Sequence, residues 1–179
     1  MFTLVRTTAP AGAPITLSQA KAQIRVDHND EDVLIQHYID AATSLLDGPT
    51  GILGRCLVTQ SWLMEIDALT GPVLLPFPDS TIDGAVFTDA AGGTLTYDLT
   101  LQDQRLLLRP SSGHGRPVEI AFTAGYGAAS DVPAAIRQAM LLLIGQWYDN
   151  REAVTVGAAG SPMPMAVDAL LAPYRRVRL

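Results

Sequence analysis

Candidate catalytic and metal-binding residues are few in this sequence and widely spaced. His28, His37 and His114 are its only histidines, and no two have the close spacing of metal ligands. His28 and His37 flank a predicted helix start without facing each other, which is typical of exposed or capping side chains. The histidines therefore predict no metal site.

The acidic segment 27–32 has a superficial likeness to a calcium-binding loop. Such a loop needs glycine at its sixth position and glutamate at its twelfth, where this segment has Asp32 and Tyr38. Acids in the first turn of a helix are favoured by the helix dipole and explain the segment better.

Motifs for nucleophilic catalysis and nucleotide binding are also missing. Cys56 has Arg55 beside it, which favours a reactive thiolate, but a solitary cysteine at a strand start is typically a small packing residue. The sequence has no phosphate loop, dinucleotide glycine fingerprint or Gly-x-Ser-x-Gly elbow, and Gly125-Tyr126-Gly127 predicts a turn. We therefore expect no catalytic residue, no metal ligand, no cofactor and no enzymatic activity.

Composition favours one domain, or one domain with an insertion, in a chain of 179 residues. Hydrophobic residues make up 48% and charged residues 17%, which allows a sizeable core. The net charge of −6 argues against broad binding of nucleic acid, although DNA passing beside the protein remains compatible with it. One cysteine, no signal peptide and no apolar run of roughly 20 residues predict a soluble protein made inside the cell, with no membrane partner.

Residues 17–47 are predicted to form two helices. Thr16 and Gln19 have the capping-box spacing, in which each side chain bonds to the other residue's backbone N–H. The second helix is predicted to be capped by Asn29 or Asp30.

The middle of the chain changes to the alternating pattern of β-strands, with turns rich in proline and glycine. The predicted strands cover residues 58–66, 73–75, 84–88, 94–99, 105–109 and 118–123. They predict a compact antiparallel β module.

Helix returns at Pro133, a residue suited to the first helical position. This helix is apolar nearly all round and includes Trp147, which predicts burial on several sides, in a core or at a subunit interface. Residues 153–164, rich in Ala, Gly and Pro, predict a flexible loop. A final helix over about 165–172 is predicted to end at Pro173.

These elements predict an α+β fold, in which a helical bundle of two N-terminal helices plus C-terminal helices carries an inserted antiparallel β module. The predicted parts are a helical core of residues 14–56 and 128–179, a β module of residues 57–127, a flexible loop of residues 153–164 and a basic tail of residues 174–179.

Charge is unevenly distributed along the chain. Residues 27–47 hold six acids and no Lys or Arg, whereas the last six residues hold three arginines and no acid. One interpretation is a solvated helix face and a frayed chain end. The other is electrostatic complementarity between neighbouring chains, which sets their register and orientation.

Several segments in order resemble a phage protein family. The N-terminal signature covers residues 14–21, 25–28, 30–35, 41–42, 50–51 and 57–62, and the second covers residues 122–127 and 132–139. Residues 148–152 resemble the family's helix end, and residues 170–175 resemble its usual ending. Together they resemble the head–tail connector (adaptor) proteins of long-tailed phages, prophages and gene transfer agents.

The resemblance implies a structural, non-enzymatic protein at the head–tail junction of a virion or gene-transfer-agent particle. Such proteins form homo-oligomeric rings, dodecameric where they match the portal, between the portal protein and a downstream stopper or tail protein. Double-stranded DNA passes through the lumen without sequence-specific binding. One lysine against eleven arginines suits a GC-rich bacterial genome, and does not distinguish a prophage from a gene transfer agent.

The resemblance also implies that the C-terminal segment docks on the portal. The candidate partner-binding residues are Tyr174, Arg175, Arg176, Arg178 and Leu179. Three arginines with no local acid predict a segment that becomes ordered only on the portal, where their planar guanidinium groups grip carboxylates. A disordered chain end without a partner is the alternative.

Two other classes of function are compatible with the sequence. A different head–tail joining component, such as a stopper or tail-completion protein, would be mostly β, and the paired N-terminal helices disfavour it. A small ligand-binding or enzymatic β module would need a dense polar cluster, and Asp67, Asp79, Asp83 and Asp89 are dispersed along the chain.

Overall fold

The structure is a computed structural model of the chain. It describes residues 2–67, 71–82, 88–89, 97–102, 105–110, 118–151 and 164–175. The chain divides into two compact units, which we describe separately. The β unit comprises residues 1–11 and 58–126, and the helical unit comprises residues 12–57 and 127–179. The α+β class predicted from the sequence is confirmed.

The described part of the helical unit contains four α-helices. They are α1 (Leu17–Ile24), α2 (Asp32–Leu46), α3 (Ala134–Asp149) and α4 (Met165–Leu171), with short 3-10 turns at Ala129–Asp131 and Ala172–Tyr174. Helix α3 packs against each of the other three. The prediction that the helices of residues 17–47 pack with the helix after Pro133 is therefore confirmed.

The first helix begins with the predicted capping box. The Thr16 hydroxyl accepts a hydrogen bond from the Gln19 backbone N–H at 3.2 Å, and the Gln19 side chain accepts one from the Thr16 N–H at 2.9 Å. Two backbone donors that the first helical turn leaves unpaired are thereby satisfied.

The start of α2 differs from the prediction. Its N-cap is Glu31, whose side chain makes no capping hydrogen bond, and neither Asn29 nor Asp30 caps the helix. The Asn29 side-chain oxygen instead accepts from the Lys21 ammonium at 2.8 Å. The Asp30 side chain is 92% exposed. Binding to Lys21 of α1 therefore keeps the Asn29 side chain from capping α2. The prediction missed this because the spacing of cap residues gives no information about contacts with α1.

The helical core consists of the inward stripes of the four helices. Its buried side chains include Ile35, Ile39, Ala42 and Leu46 of α2, Ile136, Ala139, Met140, Leu143 and Ile144 of α3, and Val167 and Leu171 of α4. Cys56 is also buried, which confirms its prediction as a packing residue. Pro133, predicted to be the first helical residue, is the N-cap one position earlier.

The described part of the β unit contains eight strands in two antiparallel sheets. The strands are β1 (Phe2–Thr8), β2 (Gln60–Ile66), β3 (Val73–Pro78), β4 (Ser80–Thr81), β5 (Thr88–Asp89), β6 (Tyr97–Gln102), β7 (Arg105–Pro110) and β8 (Val118–Ala124). One sheet has the order β1-β2-β8-β4, with β5 also paired to β8, and the other has the order β3-β7-β6. The predicted antiparallel arrangement is confirmed.

One corner joins the two sheets. Strands β3 and β4 follow each other directly, and Asp79 between them has a left-handed backbone with φ of 54°. Strands that switch sheets commonly turn at such an irregular residue. The turn carries Phe77 into the core, where its ring lies 5.1 Å from Trp62 and 6.3 Å from Phe122.

Strand β1 was not predicted. It pairs with β2 in a register that sets Leu4 opposite Met64, so its partner is distant in sequence. No described residue pairs with its other edge. Phe2 is 58% and Val5 is 45% exposed. The strand predicted over residues 84–88 and the loop predicted over 153–164 lie outside the described residues, apart from Thr88 and Pro164.

Candidate assembly interface

Polar side chains of the described residues do not converge on a metal centre. Among those residues, no three His, Cys, Asp or Glu side chains are placed to hold a metal ion. His28 approaches Asp30 with a 3.7 Å nitrogen–oxygen distance, and the two side chains are 49% and 92% exposed. In the part of the chain that the structure covers, no helix is long and apolar enough to cross a membrane.

The best-defined polar cluster joins the start of α2 to the end of α3. The Glu31 carboxylate accepts a hydrogen bond from the Tyr148 hydroxyl and a second from Arg151, whose Nη2 lies 2.7 Å away. The Arg151 guanidinium also lies over the Tyr148 ring, 4.6 Å from its centroid. A carboxylate, a phenol and a guanidinium therefore form one closed contact, which we call the Glu31 cluster.

Electrostatics favour this arrangement at both helix ends. Glu31 places negative charge at the positive N-terminus of α2, and Arg151 places positive charge just after the negative C-terminus of α3. The bond from Tyr148, then that from Arg151, holds the pKa of Glu31 below its ordinary value. The bond to Glu31 raises the pKa of Tyr148, and Glu31 likewise raises the pKa of Arg151. The cluster therefore stabilises the packing of the start of α2 against the end of α3.

An aromatic pair extends the same contact along the two helices. The Tyr38 ring of α2 and the Trp147 ring of α3 are tilted at 48°, with centroids 6.3 Å apart. Trp147 is half-buried rather than fully buried. Its predicted burial is therefore only partly correct for the chain by itself.

A shallow groove of about 450 Å³ lies between α1 and the start of α2. Lys21 spans it, with its Nζ 2.6 Å from Asp32 and 2.8 Å from Asn29. The rest of the lining is Leu17, Ser18, Ala22, Val26 and Asp27. Because Lys21 already engages an acid and an amide of its own chain, the described lining of the groove presents no free cation for an anionic ligand.

The acids of residues 27–47 are largely engaged within the chain. Glu31 binds Arg151, Asp32 binds Lys21, and the Asp47 carboxylate accepts the Leu57 N–H at 2.6 Å. Asp40 accepts from Gln36, at 2.9 Å, and has no cation among the described residues. Inter-chain complementarity, one of the two interpretations of this segment, therefore rests on fewer acids than the sequence suggested.

The predicted partner-binding tail is described only at its start. Tyr174 belongs to the 3-10 turn that follows α4, and Arg175 lies directly after it. Arg175 Nη2 lies 2.6 Å from the Asp168 carboxylate of α4, so the expectation that no acid is near the arginines is wrong for this residue. Arg176, Arg178 and Leu179 lie outside the described residues.

Sequence reasoning did not identify the Glu31 cluster. Glu31 and Arg151 are 120 residues apart, and no spacing rule connects the start of one helix with the end of another. The available signal was the family-like segment 148–152, which includes both Tyr148 and Arg151. Its similarity to the family marked the segment, but not the contact that it makes.

The helical unit is thus a bundle in which the start of α2 and the end of α3 are held together by the Glu31 cluster. Residues 14–68 match the family model of the phage gp6-like head–tail connector protein. The resemblance to head–tail connector proteins seen in the sequence is thereby confirmed. No curated protein sequence is significantly similar to the chain.

Solved structures of gene transfer agent (GTA) particles contain chains with this fold. A chain of the native GTA virion is 27% identical, with a TM-score of 0.73. A chain of the neck of the empty GTA particle, computed with C6 symmetry, is 24% identical with a TM-score of 0.77. A third, from the native GTA neck computed with C12 symmetry, is 23% identical with a TM-score of 0.65. Each comparison covers 99% of this chain and 97% of the other.

Proposed function

We propose that this protein is a non-enzymatic connector subunit of the head–tail junction in a phage or GTA particle. The observation that carries the proposal is the agreement of two independent likenesses. Residues 14–68 match the head–tail connector family, and nearly the whole chain shares the fold of a 27% identical chain from a GTA virion. We place the protein in the particle at this junction, after synthesis in the bacterial cytoplasm.

The proposed assembly is a homo-oligomeric ring, dodecameric in the particle. One end of the ring contacts the portal protein, the other contacts a downstream stopper or tail protein, and double-stranded DNA crosses the lumen. The net charge of −6 supports a lumen that does not bind DNA tightly, because tight binding needs cations to replace the counterions of the phosphates. Residues 14–56 and 128–179 would form the ring core, with residues 57–127 as an inserted β module.

The proposed portal contact is the basic tail of residues 174–179. The Arg175–Asp168 pair supports a more specific version, in which α4 anchors the first two residues and Arg176, Arg178 and Leu179 reach the partner. Repetition of a weak contact on every subunit of a ring gives strong overall attachment.

Electron microscopy of the purified protein, alone and mixed with the portal of its own particle, tests the assembly. We expect rings stacked on the portal. Failure to form rings with the portal would contradict the proposal.

Deletion of residues 176–179 tests the tail. We expect unchanged thermal unfolding and loss of portal attachment. Arg6→Ala is a matched control, because it removes an exposed arginine of the β unit and should leave attachment intact. Normal attachment of the truncated protein would show that the tail is not the contact.

A further inference from the structure

Helix α3 carries a stripe of residues that the described part of its own chain leaves partly exposed. Ala134 and Gln138 are exposed, and Leu141 and Gly145 are half-buried. Their spacing puts all four on one face of the helix. A side chain built at Gly145 would meet no atom within 4 Å, so the space beside it is open. The stripe is therefore smooth, mostly apolar and accessible to another helix.

Arg137 borders this stripe and is the only charged residue of α3 before Asp149. Its Nε atom is buried and has no hydrogen-bond acceptor among the described residues. No ion pair links its guanidinium to a described acid. The guanidinium carries further N–H donors beyond Nε, and it can hold a carboxylate through two parallel hydrogen bonds. Because no described acid pairs with Arg137, its charge favours an acid from outside the chain.

Helix α2 presents an exposed stripe with the same spacing. Val33, His37, Asp40 and Ser44 are exposed along one face, and Val33 is 71% exposed. Asp40 has no cation among the described residues and accepts from the neutral Gln36 side chain. The α2 stripe therefore supplies an anionic side chain, Asp40, and an apolar contact. The α3 stripe supplies an apolar contact and is bordered by a cationic side chain, Arg137.

We propose that the α3 stripe of one copy packs against the α2 stripe of the next copy, with Arg137 paired to Asp40. The inference rests on the proposed ring function and gives it a specific subunit interface. A second copy fits because the complementary charge and the complementary stripe belong to the same chain. Contact between two different faces is heterologous, and heterologous contacts generate rings when the rotation closes.

Charge reversal tests the pair. Arg137→Glu puts like charges at the interface, and so does Asp40→Arg. We expect each variant to fold normally by circular dichroism and to form at least about tenfold fewer rings on the portal, counted by electron microscopy. Asp30→Arg, which reverses a side chain that is 92% exposed, is the matched control and should form rings at the wild-type level.

Mixing the two variants tests whether the contact lies between copies. In an alternating ring, the glutamate that replaces Arg137 in one variant would face the arginine that replaces Asp40 in the other. The native Arg137 of the second variant would likewise face the native Asp40 of the first. We expect an equimolar mixture to recover rings, and so should the double variant carrying both reversals. Native mass spectrometry should find the two chains in equal amounts in the mixed rings.

The outcomes separate this inference from the proposed function. Wild-type rings with unaffected single variants would overturn the Arg137–Asp40 pair and leave the connector function standing. Loss of rings in both variants without recovery in the mixture would also overturn the pair. Absence of wild-type rings on the portal would overturn both proposals together.

Discussion

The guanidinium of Arg151 lies 2.7 Å from the carboxylate of Glu31, although 120 residues separate them in the chain. Most of the β unit is inserted between α2 and α3 along the sequence. Packing of the helices on either side of such an insertion closes a long loop, and this closure costs chain entropy. The Glu31 cluster stabilises that non-local pairing at the helix ends.

Glu31→Gln should lower the free energy of unfolding of the helical unit and should reduce the amount of stability that is lost at low pH. The folded-state pKa of Glu31 is lowered, so its contribution is present above the ordinary glutamate pKa of about 4.3 and is lost as the pH falls through the lower folded value. Urea unfolding from about pH 6 to pH 3 should show a smaller loss of stability in the variant than in the wild type. Asp30→Asn is the control, and identical pH profiles for Glu31→Gln and wild type would contradict the prediction.

Phe77→Ala should destabilise the β unit by about 3–5 kcal/mol, because Phe77 is buried and packs between Trp62 and Phe122. Phe2→Ala removes the same ring from a position that is 58% exposed and should change stability by less than about 0.5 kcal/mol. Chemical denaturation of both variants measures the difference. Equal losses would show that the Phe77 ring is not an essential part of the core.

Trp147→Ala should cost about 2 kcal/mol, less than the roughly 3–5 kcal/mol expected for a fully buried tryptophan, since the indole is half-buried and pairs with Tyr38. Trp147→Phe keeps an aromatic ring against Tyr38 and should recover part of the loss. Denaturation of the unassembled chain is the measurement. A loss below about 0.5 kcal/mol would place the role of Trp147 in assembly rather than in folding.

Two glycine-to-alanine changes should have opposite effects. Gly125 has φ of 135°, and a Cβ there would lie 2.7 Å from the backbone of Thr59, so Gly125→Ala should destabilise by about 1–3 kcal/mol. Gly145 is helical with open space beside it, so Gly145→Ala should stabilise by about 0.5–1 kcal/mol. Thermal unfolding measures both, and a shift of the same sign in the two variants would contradict this account.

Local sequence signals predicted the helices well. The capping box of Thr16 and Gln19 and the apolar stripe of α3 depend on residues within a few positions of each other, and both are present in the structure. The strand alternation of residues 58–66 and 118–123 also corresponds to observed strands. Periodicity succeeds in these cases because the forces that select helix and strand act on neighbouring residues.

Contacts that reach beyond a single helix or strand explain the rest. Strand β1 exists because β2 offers it a partner about 60 residues later, as in the pairing of Leu4 with Met64. Similarly, Lys21 takes the Asn29 side chain that was expected to cap α2, and Asp168 binds Arg175. Each miss has one cause: a side chain or strand edge contacts a residue outside the element that the local pattern describes.

The burial of Cys56 has a practical consequence. It is the only cysteine of the chain and is 2% exposed, so a thiol reagent can reach it only when the surrounding structure opens. The rate at which the reagent modifies Cys56 then reports how often that part of the structure opens, without a substitution or an added label. Under the proposed function, the ratio of the rates in the free chain and in the ring would measure how far assembly suppresses local opening of each subunit.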